Sequence, residues 1–233
     1  AALQIAETSD QTVVSENGST DTFSVALTSE PIGTVTVRLA TDDATEVSLS
    51  VTSLVFTSSN WNVAQVVTVR GLDDLLVDGP IISRITASFD ASSAGPYSSA
   101  PSSFVTVTTS DNEVAAIVVA ETQGSTSATE AGSTDAVFVS LAAQPVGTVV
   151  VEAVADNAAD VSVNPSRLTF TESNWNVPQA VSITAIDDVI VDGTRSSLVR
   201  FRIVASETTP TYRNAAEVSV SVTTVDNERP GIV

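Results

Sequence analysis

The chain contains no cysteine, no histidine and no methionine, and all nine of its basic residues are arginine. Without cysteine there is no disulfide, no thiolate metal site and no thiol nucleophile. The redox compartment is therefore not fixed by cysteine usage, and an extracellular setting is compatible with it. Without histidine the usual nucleophile triads are excluded, and so are the imidazole sites that favour soft or borderline metals. Aromatic residues make up only 5% of the chain, so its carboxylates lack the aromatic-rich groove in which paired carboxylates hydrolyse glycosides. No apolar run approaches the ~20 residues that a membrane-spanning helix needs, so direct membrane insertion is not expected. The amino-terminal Ala1-Ala2-Leu3-Gln4 lacks the basic start and apolar core of a secretory leader. Positive charge is scarce as well: 28 acidic residues against 9 basic ones give a net charge of −19. Nucleic-acid binding requires a basic footprint that this chain does not have, and anionic lipid is disfavoured for the same reason. The acidic excess points to solubility, to cations, or to both.

What is present is written twice. Asn60-Trp61-Asn62 returns as Asn174-Trp175-Asn176, 114 positions later (175 − 61). At the same spacing Asp73-Asp74 returns as Asp187-Asp188, Asp78-Gly79 as Asp192-Gly193, and Glu16 as Glu130. Asp111-Asn112-Glu113 returns as Asp226-Asn227-Glu228, at 115. A period of this length signifies two copies of one whole domain rather than a solenoid of small units. The expected division is residues 1–113 and 114–228. Arg229-Pro230-Gly231-Ile232-Val233 occupies the place that Val114-Ala115-Ala116-Ile117-Val118-Val119 occupies after the first copy. Residues 229–233 are accordingly expected to open a further repeat, as in an excerpt of a longer tandem array. No Gly/Ser linker separates the copies, and a joint as short as Glu113-Val114 is expected to restrict hinge motion, more so with an ion bound in the turn.

The hydrophobic pattern has period two. Phe23-Ser24-Val25-Ala26-Leu27, Val35-Thr36-Val37-Arg38-Leu39 and Val66-Val67-Thr68-Val69-Arg70 are strand-like, and Val137-Phe138-Val139-Ser140-Leu141 and Val218-Ser219-Val220-Ser221-Val222 repeat the pattern. Asn17-Gly18, Pro31-Ile32-Gly33 and Asp78-Gly79-Pro80 punctuate these runs with turns. About seven short strands per copy predict an all-β chain of two tandem antiparallel, immunoglobulin-like β-sandwiches, with the strands connected as an up-and-down meander. The loops 92–98 and 207–212 each carry a Pro and a Tyr and are expected to form exposed hairpin tips. Trp61 and Trp175 are expected to close the sandwich edge, their flanking asparagines holding a turn.

Each copy has four acidic clusters at strand ends. The first has Glu16, Asp42-Asp43 with Glu46, Asp73-Asp74 with Asp78, and Asp111-Asn112-Glu113; the second has Glu130, Asp156 with Asp160, Asp187-Asp188 with Asp192, and Asp226-Asn227-Glu228. In a meander these ends return to one pole. Carboxylates gathered there repel each other unless their proton affinities rise or a cation enters. Calcium takes 6–8 oxygen ligands, and carboxylates, Asn amides and backbone carbonyls all serve. Ca²⁺ is therefore the expected cofactor, with solvated turns as the alternative.

An early acidic turn, an acidic loop, Asp-Asp-x-x-x-(Asp/Glu)-Gly and a terminal acidic triplet, in that order, resemble the Calx-β domain family. Phe56–Gln65 and Phe170–Gln179, each Phe-x-x-x-Asn-Trp-Asn-Val-x-Gln, are similar to its bacterial cell-surface branch. That resemblance covers both copies nearly end to end. It implies as calcium ligands Glu16, Glu46, Asp73, Asp74, the Leu76 carbonyl, Asp78, Asp111, Asn112 and Glu113 in the first copy. In the second copy it implies Glu130, Asp160, Asp187, Asp188, the Ile190 carbonyl, Asp192, Asp226, Asn227 and Glu228. Leu75 and Val189 stand where the family carries a third Asp, which favours one or two ions per copy. The function so implied is a non-enzymatic, calcium-rigidified structural or adhesion spacer of a large secreted or cell-surface protein. Its partners would be neighbouring repeats of the same protein, with self-association or a surface or glycan ligand also open. A filament or surface-layer subunit assembling by strand addition and a calcium-sensing regulatory pair are the alternatives.

Overall fold

The structure is a computed structural model and describes residues 1–229 together with Gly231. Contacts divide the chain into two compact units. The first comprises Ala1–Asp74 and Gly79–Asn112; the second comprises Leu75–Asp78 and the described residues from Glu113 onward.

The first copy's sequence forms β1 (Leu3–Glu7), β2 (Thr12–Ser15), β3 (Thr20–Leu27), β4 (Val35–Thr41), β5 (Val47–Leu49), β6 (Ser53–Phe56), β7 (Gln65–Gly71), β8 (Leu76–Val77), β9 (Ile81–Phe89) and β10 (Ser103–Ser110). One sheet of the first unit has the order β1-β3-β7-β5 and the other β2-β10-β9-β4-β6. The alternating residues of both inner faces meet in one core. Phe23 and Val25 of β3 are buried with Val35 and Val37 of β4 and with Val105 and Val107 of β10. Each such side chain contributes about 1.5–3 kcal/mol by leaving water.

The second unit repeats the plan. It has β11 (Ile117–Glu121), β12 (Thr126–Thr129), β13 (Thr134–Leu141), β14 (Gln144–Pro145), β15 (Val149–Ala155), β16 (Val161–Asn164), β17 (Arg167–Phe170), β18 (Gln179–Ala185), β19 (Arg195–Ile203) and β20 (Val218–Val225). Its sheets run β11-β13-β18-β16 and β12-β20-β19-β15-β17. A two-stranded parallel ribbon joins β14 to β8, with Gln144 opposite Leu76 and Pro145 opposite Val77. The two units are thus β-sandwiches.

Three expectations change. The connectivity is not a meander: β3 lies beside β7, and β4 beside β9, so the chain crosses between sheets. There are more strands than seven: the two sheets of each unit together hold nine, one of them gained because the first strand of each copy breaks and changes sheet. Ser9, Asp10 and Gln123, with φ of 57°, 61° and 54°, turn the chain there. β2 and β12 then pair in parallel with β10 and β20, within otherwise antiparallel ladders. The Pro/Tyr loops are not exposed tips either. They form short 3₁₀ turns whose Tyr97 and Tyr212 are buried. The Tyr97 hydroxyl donates to the Ser29 carbonyl at 2.6 Å, and that of Tyr212 to the Ala143 carbonyl at 2.5 Å. A buried phenol requires such a partner, and in finding one it pins the loop. The further strand expected at 229–233 falls largely on positions 230, 232 and 233, which lie outside the described residues.

The Asn-Trp-Asn repeat is structural. Asn60 Oδ1 accepts the Thr57 N–H at 2.6 Å, and the Trp61 carbonyl accepts the Leu27 N–H at 2.8 Å. Asn174 and Trp175 make the same bonds to Thr171 and Leu141 at 2.6 and 2.8 Å. Both Trp side chains pack on their cores.

Candidate metal centre

The parallel pairing assembles the acidic pole. Ser15 pairs with Ser110, and Thr129 with Val225. β2 and β10 therefore end side by side, as do β12 and β20, and the next residues are Glu16 and Asp111 in one copy, Glu130 and Asp226 in the other. On the facing sheet Val47 pairs with Gly71, and Val161 with Ala185. That antiparallel register places Glu46, just before β5, at the same end as Asp73 and Asp74, just after β7. It does the same for Asp160, Asp187 and Asp188.

In the second unit Glu130, Asp187 and Glu228 each bring a carboxylate oxygen within 4.8 Å of the other two. Backbone donors aim the surrounding groups. Asp226 Oδ2 accepts the Asp192 and Gly193 N–H groups at 2.8 and 2.6 Å, and its Oδ1 accepts the Glu228 N–H at 2.6 Å. These bonds hold the Asp226 carboxyl below its ordinary range. Gly193 donates from φ 75°, a conformation that side-chain-bearing residues rarely adopt. The Asn227 amide donates to Asp187 Oδ1 at 3.0 Å, and the Ile190 N–H to Asp188 Oδ1 at 2.6 Å.

Charge accumulates around the two glutamates. Burial, followed by a hydrogen bond to Asp226 and the charges of Asp226, Glu130 and Asp187, pushes Glu228 up to about 7. Burial, then the charges of Asp226, Asp188 and Asp192, raises Glu130. Glu130 Oε2, Asp192 Oδ1 and Glu228 Oε2 are buried oxygens with no hydrogen-bond partner among the described residues. Buried carboxylate oxygens without donors are costly as anions. Protonation relieves that cost, and so does a cation.

In the first unit Glu16 is buried, at 1% exposure, and accepts the Asn112 N–H at 3.4 Å. Glu16 and Asp74 bring carboxylate oxygens within 4.8 Å of each other, and so do Glu46 and Asp74. Asn112 donates its amide to Asp73 Oδ1 at 3.3 Å, as Asn227 does to Asp187. Asp111 Oδ2 accepts the Gly79 N–H at 2.7 Å. Asp78 and Glu113 belong to the second unit's share of the chain, as does Leu76, which lies in β8.

Asp42, Asp43 and Asp156 are engaged elsewhere. Asp42 Oδ1 accepts the Arg84 N–H of the neighbouring strand at 2.6 Å. Asp43 closes a turn on the hydroxyl and N–H of Thr45, which lower its proton affinity. Asp156 takes a two-pronged ion pair from Arg200, at 2.6 and 2.9 Å, which lowers it likewise.

One participant was not anticipated from the sequence. Arg195 reaches Asp192 Oδ2 at 2.6 Å and Asp160 Oδ1 at 3.4 Å. Its guanidinium supplies a fixed positive charge between two of the family-implied ligands. The first copy has Ile81 at the matching position. Aligning the copies at the 114-residue offset exposes this difference, the one readable signal for it.

The chain is similar to a solved structure described as the calcium binding domain CBD12 of CALX1.1, at 15% identity and a TM-score of 0.38 over 96% of this chain and all of that one. It is similar to domains 1–6 of the surface layer protein SbsC, at 14% identity and a TM-score of 0.39, over 98% of this chain and 28% of that one. It is also similar to the E. coli chaperone DraB, at 8% identity and a TM-score of 0.35, over 94% of this chain and 98% of that one. No family model and no curated protein sequence matches the chain.

The donor set fits a hard cation. It is all oxygen and strongly anionic, and its members sit on turns that can adjust to a large coordination sphere. Nothing in it suits zinc or copper in preference, since imidazole and thiolate are absent from the chain.

Proposed function

We propose that the chain is a pair of Calx-β-type calcium-binding modules of a secreted or cell-surface protein, non-enzymatic, serving as a structural or adhesive spacer. The carrying observation is the meeting of Glu130, Asp187 and Glu228 within 4.8 Å, with both glutamates held at raised proton affinity. In the second module these three would hold the ion, with Asp188, Asp192 and Asp226 contributing charge around it. In the first module Glu16, Glu46 and Asp74 would do so, with Asp73 and Asp111 nearby. The ion would supply positive charge where the fold has collected negative charge. It thereby links strand ends from both sheets of a sandwich, which is a stabilising rather than a catalytic role.

An ion that binds only the folded state stabilises it by RT ln(1 + [L]/Kd). Extracellular modules of this chemistry operate at Kd of order 10⁻⁴–10⁻³ M, which millimolar calcium satisfies. Thermal unfolding in EDTA, in millimolar calcium and in millimolar magnesium tests the reading. A midpoint raised by calcium well above the magnesium value is expected. Identical midpoints in all three solutions would remove it.

A further inference from the structure

The acidic pole of the second unit already contains a cation of its own, the guanidinium of Arg195. Arg195 opens β19, three positions after Asp192. One of its terminal nitrogens lies 2.6 Å from Asp192 Oδ2, and the other donates to Asp160 Oδ1 at 3.4 Å. The two carboxylates come from separate segments, Asp160 from the turn before β16 and Asp192 from the loop between β18 and β19. Their side chains are 12% and 10% exposed, against 43% for Arg195. The guanidinium thus covers, as the more exposed partner, a pair of acids that the fold has enclosed.

The cover is incomplete. One positive charge faces two negative ones, and Asp192 Oδ1 is a buried oxygen with no hydrogen-bond partner among the described residues. Such an oxygen is costly as an anion. Beside the pair lies an opening of about 550 Å³, lined by Asp156, Asn157, Asp160, Arg195, Ser196 and Leu198. It gives the guanidinium room to turn away and gives an ion a way in. Asp156 is committed to Arg200. Asp192 is tied to the rest of the pole, since Asp226 Oδ2 accepts its N–H at 2.8 Å. At the position of Arg195 the first copy has Ile81, which brings no charge.

We propose that Asp160 and Asp192 form a second cation subsite in the second unit, and that Arg195 is its tethered, displaceable occupant. The inference rests on the calcium reading of the neighbouring Glu130, Asp187 and Glu228, and it adds a regulator to that reading. Asp160 and Asp192 together match the charge of a divalent ion, and Asp192 Oδ1 has a ligand bond to give; the guanidinium satisfies one charge and leaves that oxygen alone. Its counterweight is the tether, which gives a group held on the same chain an effective concentration of order millimolar. Arg195 therefore stays in place while the first site fills, and yields the pair as free calcium passes the millimolar range. The second unit takes up its ions in two steps, and the later step is set by a residue that is Ile in the first copy.

Calorimetric calcium titration of the full chain tests this, together with ¹⁵N spectra of the arginine Nε–H groups. The chain has nine arginines and no lysine, so the Arg195 signal is assigned by its loss in Arg195→Gln. In the parent that signal is expected to stay fixed through the tighter step and to move in the weaker one. Arg195→Gln and Arg195→Ile are expected to bring the weaker step to about tenfold lower calcium, because affinity follows the net charge of the ligands. Arg195→Lys keeps a tethered charge and is expected to leave that step weak, which a packing role for the side chain would not predict. Arg195→Gln and Arg195→Ile both titrating as the parent does, or an Arg195 signal that moves at no calcium concentration, would overturn the proposal. Calcium uptake that is lost in Glu228→Gln yet indifferent to Arg195→Gln would leave the calcium reading standing and remove the subsite. A chain that takes up no calcium would remove both.

Discussion

Replacing Glu228 by Gln isolates the metal centre from the fold. The amide keeps the size of the side chain and removes one charge from a group surrounded by Asp226, Glu130 and Asp187. At pH 8 Glu228, with its pKa near 7, is ionised and repelled by those neighbours. Glu228→Gln in EDTA should therefore melt no lower than the parent, and slightly higher. In calcium the order reverses. At a tenfold excess over Kd a bound ion contributes about 1.4 kcal/mol. For a domain of this size a kcal/mol moves the midpoint by roughly 3–5 °C, so the parent's second unit should gain about 5 °C on going from EDTA to millimolar calcium. The variant should lose most of that gain, because one of three converging carboxylates is gone and affinity follows ligand charge. Differential scanning calorimetry resolves both effects. A Glu228→Gln chain that keeps the whole calcium-induced gain would refute the reasoning, and so would one that is destabilised in EDTA as much as in calcium.

Three further outcomes follow from the same geometry. The raised proton affinities of Glu130 and Glu228 mean that the folded second unit holds protons which the unfolded chain releases above its ordinary Glu value of 4.5. In EDTA this stability is present below pH 4.5 and is lost as the pH rises through about 7, so melting midpoints should fall from pH 5 to pH 8. The calcium-induced gain should grow over the same interval, since the ion displaces those protons; a gain independent of pH would contradict this. Arg195→Ile, which installs the first copy's residue, should cost at most about 1 kcal/mol in EDTA because the guanidinium is substantially exposed. It should raise the calcium stoichiometry by about one ion, read by calorimetric titration, as Asp160 and Asp192 lose their fixed counter-charge. Tyr212→Phe leaves the buried Ala143 carbonyl without its donor and should destabilise the second unit by about 1–3 kcal/mol in urea unfolding, with calcium stoichiometry unchanged.

Much of this protein was legible in one dimension. Alternation of Val, Ile and Thr with polar residues makes strands because side chains along a strand point alternately to opposite faces. The 114-residue repeat makes two units because each copy carries a complete set of such strands. The absence of His and Cys leaves oxygen as the donor for any tightly held cation. These are local or compositional properties, and no fold is needed to read them.

Which carboxylates meet is a different kind of fact. Asp42 and Asp156 are as acidic and as near strand ends as Glu16 and Glu130, yet the first goes to the Arg84 N–H and the second to Arg200. What separates them is the parallel pairing of β2 with β10 and of β12 with β20, whose partner residues lie 95 (107 − 12) and 96 (222 − 126) positions apart. Periodicity says which face a residue takes but not which strand lies beside it. The burial of Tyr97 and Tyr212, the reach of Arg195 and the adoption of Leu76–Val77 by the second unit are likewise long-range outcomes. A two-residue strand has no period to detect, and it exists only because an edge is there to receive it. The sequence alone thus determined the parts and their chemistry, while the pairing of distant edges decided which parts act together.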